Sequence, residues 1–120
     1  MKFNFDNERP IYIQLVEQLR IGILTSKFGV GEKIPSVREL AMLAKVNPNT
    51  MQKALAELEE EKLIYTERTN GKFVTKDVKL INKIRDNLAK DKANEFFSSM
   101  KKIGMDETET IDYLRELINK

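Results

Sequence analysis

The chain has 120 residues, 41% hydrophobic and 33% charged, with no Cys, no His and a formal net charge of +2. That length fits one small globular domain plus an appendage rather than a large enzyme with a deep cleft. Without Cys or His there is no disulfide framework, thiolate zinc site or imidazole base, and the carboxylates fall at no recognisable motif spacing, so neither enzyme activity nor a cofactor is expected.

No apolar run is long enough to cross a bilayer, and the amino terminus lacks a basic-then-apolar signal pattern, so the expectation is a cytoplasmic protein with no membrane partner. Residues 10–25 read as a first helix, with Pro10 at its start and Tyr12, Leu15, Val16, Leu19 and Ile23 forming one apolar stripe. Gly29-Val30-Gly31-Glu32-Lys33 is a turn, and Ile34 is placed for a very short strand. Ser36-Val37-Arg38-Glu39 is a capping box: the Ser36 hydroxyl accepts from the Glu39 N–H while the Glu39 carboxylate accepts from the Ser36 N–H. The helix it opens turns Val37, Leu40, Ala41 and Ala44 inward and stops near Ala44, because Lys45-Val46-Asn47 leads straight into another cap. Asn47 suits the N-cap, and Pro48 suits the first helical position, where its missing N–H costs nothing. Two short helices joined by about three residues make a helix-turn-helix.

On the second of these helices Met51, Ala54, Leu55 and Leu58 share one side, while Asn49, Gln52, Lys53 and the small Ala56 share the other. Amide side chains can bond adenine bidentately and Lys can reach guanine or phosphate, so the polar side suits a major groove. Taken alone, the same pattern also fits an ordinary amphipathic helix with a solvated face. The charge distribution favours the first reading: Lys33, Arg38, Lys45 and Lys53 face the single acid Glu39 between residues 33 and 55. Glu57, Glu59, Glu60 and Glu61 crowd the far end of the helix, where mutual repulsion and the helix dipole disfavour them. The sequence shows no compensation for that cluster, which reads as a solvated end held away from phosphate.

Leu63 to Arg68 has strand composition, Asn70-Gly71 is a strong hairpin signal, and Lys72-Phe73-Val74-Thr75 returns. A two-residue turn pairs Arg68 with Phe73 and sets Arg68, Asn70 and Lys72 near the tip of a β-ribbon, within reach of a phosphate or a minor groove. A ribbon directly after a recognition helix is the winged form of the motif.

Gly29, Gly31, Ile34-Pro35-Ser36-Val37-Arg38-Glu39-Leu40-Ala41, Val46, Thr50, Ala54-Leu55, Leu58-Glu59, Leu63-Ile64 and Gly71-Lys72-Phe73-Val74 together resemble the DNA-binding domain of GntR-type bacterial transcription regulators. The resemblance runs from about residue 10 to residue 75, and its Pro-Ser-x-Arg-Glu-Leu-Ala segment is highly specific. Asn-Pro-Asn-Thr and the short tail are most similar to the YtrA-type branch, whose members lack a large ligand-binding domain. The resemblance implies DNA contacts by Arg38 and by the first residues of the recognition helix. Many relatives carry Arg where this chain has Pro48 and Gln52, so guanine reading by Arg from those places does not carry over. Thr69 stands where a second wing glycine is usual. The candidate DNA-binding residues are therefore Ser36, Arg38, Asn47, Asn49, Thr50, Gln52, Lys53, Arg68, Asn70, Gly71 and Lys72.

From residue 77 to residue 120 the chain carries nine cations and nine acids and reads as two helices. The first spans residues 78–103 and ends at Gly104, with residues 89–93 as a candidate bend; the second starts at Asp106-Glu107-Thr108-Glu109, a capping-box variant. Two helices cannot enclose a sizeable ligand pocket, so no effector follows from the tail. They bury their stripes against the winged domain or, as the resemblance implies, against a second copy of the chain. The candidate dimer interface is Ile81, Ile84, Leu88, Phe96, Phe97, Met100, Ile103, Ile111, Leu114, Leu117 and Ile118. A coiled coil fits less well, because the stripe drifts roughly a quarter turn between Leu88 and Phe96.

The expected fold is α+β, mostly helical: a winged helix-turn-helix domain over residues 1–76 and a two-helix dimerisation tail over 77–120. The expected function is a homodimeric, sequence-specific regulator of transcription on double-stranded DNA, most simply a repressor on an inverted repeat. The competing reading is a winged-helix module that binds a partner protein. That face should carry an exposed apolar anchor, and Arg38, Lys53 and Asn70-Gly71-Lys72 supply none.

Overall fold

The structure is a computed structural model that describes all 120 residues. Its elements run α1 (Ile11–Leu24), α2 (Val37–Ala44), α3 (Pro48–Glu60), β1 (Ile64–Glu67), β2 (Gly71–Val74), α4 (Val78–Lys102) and α5 (Glu107–Ile118). They form two compact units, Met1–Asn82 and Lys83–Lys120. No helix is long and apolar enough to cross a membrane.

In the first unit α1 and α2 both pack on α3, because each of the three carries one apolar stripe and has nowhere else to bury it. Leu15, Leu19, Leu40, Met51, Ala54, Leu55 and Leu58 are all buried, as the helical spacing requires. The capping box at Ser36 forms in full, with the Glu39 N–H donating to Ser36 Oγ at 3.1 Å and the Ser36 N–H to Glu39 Oε1 at 3.2 Å. Between α2 and α3, Lys45 takes the left-handed conformation (φ 56°), and the Val46 N–H closes back onto the Ala41 carbonyl at 3.0 Å.

The ribbon pairs Ile64 with Val74, Tyr65 with Phe73, Thr66 with Lys72 and Glu67 with Gly71. This corrects the expected two-residue turn: three residues, Arg68, Thr69 and Asn70, form the loop, and Phe73 faces Tyr65 rather than Arg68. The Asn70 N–H closes a turn onto the Glu67 carbonyl at 3.2 Å, and Gly71, at φ 99°, takes the positive angle just after it. The resulting register stacks the Tyr65 and Phe73 rings at 5.6 Å, a contact the tighter turn forgoes. A third segment joins the ribbon through a bridge of Lys33 to Phe73, next to the Ile34 expected there.

Residues 1–9 are tied to α1 by two glutamines. Gln18 pairs with both backbone groups of Asn4, and the buried Gln14 pairs with both of Asp6 while also donating to the Arg9 carbonyl at 2.7 Å. Glutamines four apart on a helix thus meet residues two apart on an extended chain, since 6.0 Å of helical rise nearly matches two extended residues, by the rises of about 1.5 Å and 3.3 Å per residue.

The second unit contains most of α4 together with α5. Helix α4 runs unbroken through the expected bend at 89–93 and ends at Gly104 (φ 91°), where the Met105 N–H reaches the Met100 carbonyl at 3.0 Å. Asp106 and Glu109 complete the second capping box. Ile81, expected in a dimer interface, is instead buried in its own chain at 3% exposure and has no apolar area left to offer a partner.

Gln14→Leu is expected to destabilise the protein by about 1–3 kcal/mol in urea denaturation, because it removes three buried or half-buried hydrogen bonds while keeping the volume. An unchanged midpoint would contradict the anchoring role of this side chain.

Candidate nucleic-acid interface

The candidate surface is built on the amino-terminal turns of α2 and α3 and on the ribbon loop. Asn47 caps α3 with its Oδ1, which accepts the Asn49 N–H at 2.8 Å and leaves the Asn47 amide nitrogen as the group able to reach outward. Asn49, Gln52 and Lys53 are exposed with no side-chain partner in the chain, and Thr50 is half-buried. Ser36 and Arg38 are exposed at the start of α2, and Arg38 makes no ion pair. Arg68, Asn70 and Gly71 are exposed in and beside the loop, where Asn70 Nδ2 donates to Glu67 Oε2 at 3.1 Å.

Lys72 departs from expectation. Its side chain is 17% exposed, and Nζ donates to Glu59 Oε1 at 3.1 Å and to Thr66 Oγ1 at 2.9 Å, so its charge is spent within the chain. The observed register explains this, because Thr66 and Lys72 are directly opposite each other on the ribbon face that meets α3. The hydroxyl of Thr66 also donates to Glu59 at 2.7 Å. Hydrogen bonds from Thr66 and then Lys72 hold the Glu59 carboxyl below its ordinary value of 4.5.

The acidic end of α3 is therefore engaged rather than merely solvated. Tyr12 Oη donates to Glu57 Oε2 at 2.6 Å, which raises the Tyr12 phenol above its ordinary value because ionisation would remove the proton being shared. Arg20 meets Glu61 in a two-bond fork, Nε to Oε1 at 3.0 Å and Nη2 to Oε2 at 2.6 Å. Glu57 and Glu61 bind α1 and Glu59 binds the ribbon, which supplies the compensation that sequence reasoning missed. The available signal was Tyr12 and Arg20 eight residues apart on one helix against Glu57 and Glu61 four apart on another, readable only once the packing of α1 on α3 is known.

A groove of about 620 Å³ separates the ribbon loop from the start of α2, lined among others by Lys33, Ser36, Glu39, Asn70 and Gly71. Lys33 was counted among the local cations but not as a site residue. No group of acids is arranged to hold a metal ion.

A family model described as bacterial regulatory proteins, gntR family, matches residues 11–74. The chain is 30% identical over 115 residues to the uncharacterized HTH-type transcriptional regulator YhcF of Bacillus subtilis (strain 168), covering 96% of this chain and 95% of that protein. It is 43% identical over 70 residues to the HTH-type transcriptional repressor YtrA of the same organism, covering 58% of this chain and 54% of YtrA. Among solved structures it is similar to a GntR family transcriptional regulator from Listeria monocytogenes, with a TM-score of 0.87, 40% identity and coverage of 93% and 98% of the two chains. A crystal structure of AraR(DBD) in complex with operator ORX1 matches 60% of this chain and 93% of its own, with a TM-score of 0.55 and 28% identity.

The lowered Glu59 value fixes a pH dependence. Its contribution to stability is fully present above the unfolded value of about 4.5 and is lost as pH falls through the lower folded value. Lys72→Ala should therefore lower the thermal midpoint at pH 7, and the gap between variant and wild type should narrow steadily below pH 4.5. A gap that stayed constant down to the acid limit would show that the pair does not carry the effect.

Proposed function

The chain belongs to the gntR family of bacterial regulatory proteins, and from that footing we propose that it regulates transcription by binding an inverted-repeat operator as a homodimer, with α3 reading bases in the major groove. The observation that carries this reading is the polarity of α3: Asn49, Gln52 and Lys53 stand free near its start, while Glu57, Glu59 and Glu61 are bound to the rest of the fold near its end. The long-range field of DNA therefore meets cations and amides first. Arg38 and the loop residues Arg68 and Asn70 serve as phosphate contacts that set register, and the amides discriminate bases. YtrA, to which this chain is similar, is described as a repressor; here repression needs only occupancy of a promoter, and a protein acting on the chromosome works in the cytoplasm.

The competing role, docking a partner protein, is disfavoured at the start of α3 and the ribbon loop, which expose no large apolar residue to act as an anchor; the exposed Met42 and Leu43 lie further along α2. The exposed apolar side chains of the second unit support dimerisation instead. Ile103 is 72% exposed and Ile118 80% exposed, with Phe96, Ile111 and Leu117 exposed as well.

A gel shift on the DNA upstream of the chain's own gene, with excess competitor duplex, tests the reading. Asn49 and Gln52 are the exposed amides that this reading assigns to adenine, so half-sites should be rich in A·T pairs, and Gln52→Ala should lose roughly 1–3 kcal/mol of discrimination at one base pair. Unchanged base preference in both Asn49→Ala and Gln52→Ala would remove the amides from the reading role. For the assembly, light scattering should find a dimer at micromolar concentration and a monomer for the double variant Ile103→Glu/Ile118→Glu. A monomeric wild type, or a variant that stays dimeric, would contradict it.

A further inference from the structure

We propose that Lys33, in the segment ahead of α2, is a DNA-phosphate contact and supplies, beside the loop residue Arg68, the second cation at the wing that Lys72 does not; this rests on the DNA-binding reading above. The charged side chains lining the groove between ribbon loop and α2 are Lys33, Glu39 and Lys72. Lys72 is neutralised by Glu59, so Lys33 and Glu39 are the uncompensated pair. Without Lys33 the groove would present a lone carboxylate and repel a phosphate. With it, the groove is neutral, and the exposed Ser36 and Thr69 at its rim can approach the backbone of a duplex with their hydroxyl groups.

The position of Lys33 is rigid where it needs to be. Its backbone bridges to Phe73, the following Ile34 N–H donates to the Lys72 carbonyl at 2.9 Å, and the preceding Glu32 carbonyl accepts from the Val74 N–H at 2.9 Å. Its side chain is exposed and in no ion pair, and it runs over Gly71 so closely that a Cβ there would lie 3.1 Å from Lys33 Cε. Gly71 thus serves two ends, the positive φ after the loop and the bare surface along which Lys33 extends.

The test is the salt dependence of binding to a random-sequence duplex, read by fluorescence anisotropy, for wild type, Lys33→Gln, Lys33→Arg and Lys72→Gln. Lys33→Gln should reduce the slope of log affinity against log salt by about one per protomer, and Lys33→Arg should restore it. Lys72→Gln should keep the slope and lower the thermal midpoint. An unchanged slope in Lys33→Gln, or a loss of slope in a folded Lys72→Gln, would overturn the assignment while leaving the DNA-binding reading standing. Failure of the wild type to bind any duplex would instead bring down that reading, and this one with it. Should Lys72→Gln not fold, the Lys33→Gln arm decides alone, since the exposed Lys33 side chain has no partner to lose.

Discussion

Four glutamates at the carboxyl end of α3 set a constraint that the rest of the winged unit answers at three of them, leaving Glu60 to solvent. Each sits against the negative end of the helix dipole, at a cost of about 0.3–1 kcal/mol, and Glu57 and Glu61 repel each other one turn apart. Partly desolvated hydrogen bonds to charged groups are worth about 1.5–3 kcal/mol net, enough to reverse that balance where water is excluded. The Arg20–Glu61 fork meets the condition best, with both side chains less than a third exposed. Glu59 is 40% exposed, so its bond to Lys72 contributes less. An arrangement that is unfavourable within the helix becomes a set of ties to its neighbours.

Those ties also bear on function. With Glu57 and Glu61 bound to α1 and Glu59 to the ribbon, α3 is held from two sides at one end, and its other end carries the unpaired polar groups. A reading element gains from this rigidity because bidentate recognition of a base tolerates little misplacement. The ribbon shares in it: the register that brings Thr66 and Lys72 to Glu59 also stacks Tyr65 on Phe73 and leaves Arg68, Thr69 and Asn70 as the loop. One charge of the wing is used for this, and the cation that runs along Gly71, Lys33, comes from a different part of the chain.

What was legible in the sequence was local. Both capping boxes, Pro48 at the start of α3, the buried sides of α1, α2 and α3 and Gly104 at the end of α4 rest on local spacing, and each formed as read. What was not legible depended on partners distant in sequence. Asn70-Gly71 announced a hairpin but not its register, since Gly71 can supply a positive φ within a two-residue turn or just after a longer one, and Tyr65 against Phe73 decided between them. Lys72 read as a free tip cation because its partner lies 13 residues away on another element. Ile81 shared the stripe of α4 with Ile84 and Leu88, and spacing alone cannot separate a side chain buried in its own chain from one left for a partner. The burial of Gln14 has no signal in the sequence, because what buries it is an extended segment with no pattern of its own.

In the proposed mode of binding the polar start of α3, the start of α2 and the ribbon loop meet DNA, while Glu57, Glu59 and Glu61 near the other end of α3 are tied to the fold. Titrating the isotope-labelled protein with an operator duplex and following backbone and side-chain amide signals by NMR tests it most directly. The largest shifts are expected at the side-chain amides of Asn49 and Gln52 and along Lys33 to Arg38 and Thr69 to Gly71, with the Glu57 to Glu61 signals nearly still. Shifts concentrated on the exposed Met42 and Leu43 of α2, or on α5, with a silent start of α3, would contradict it.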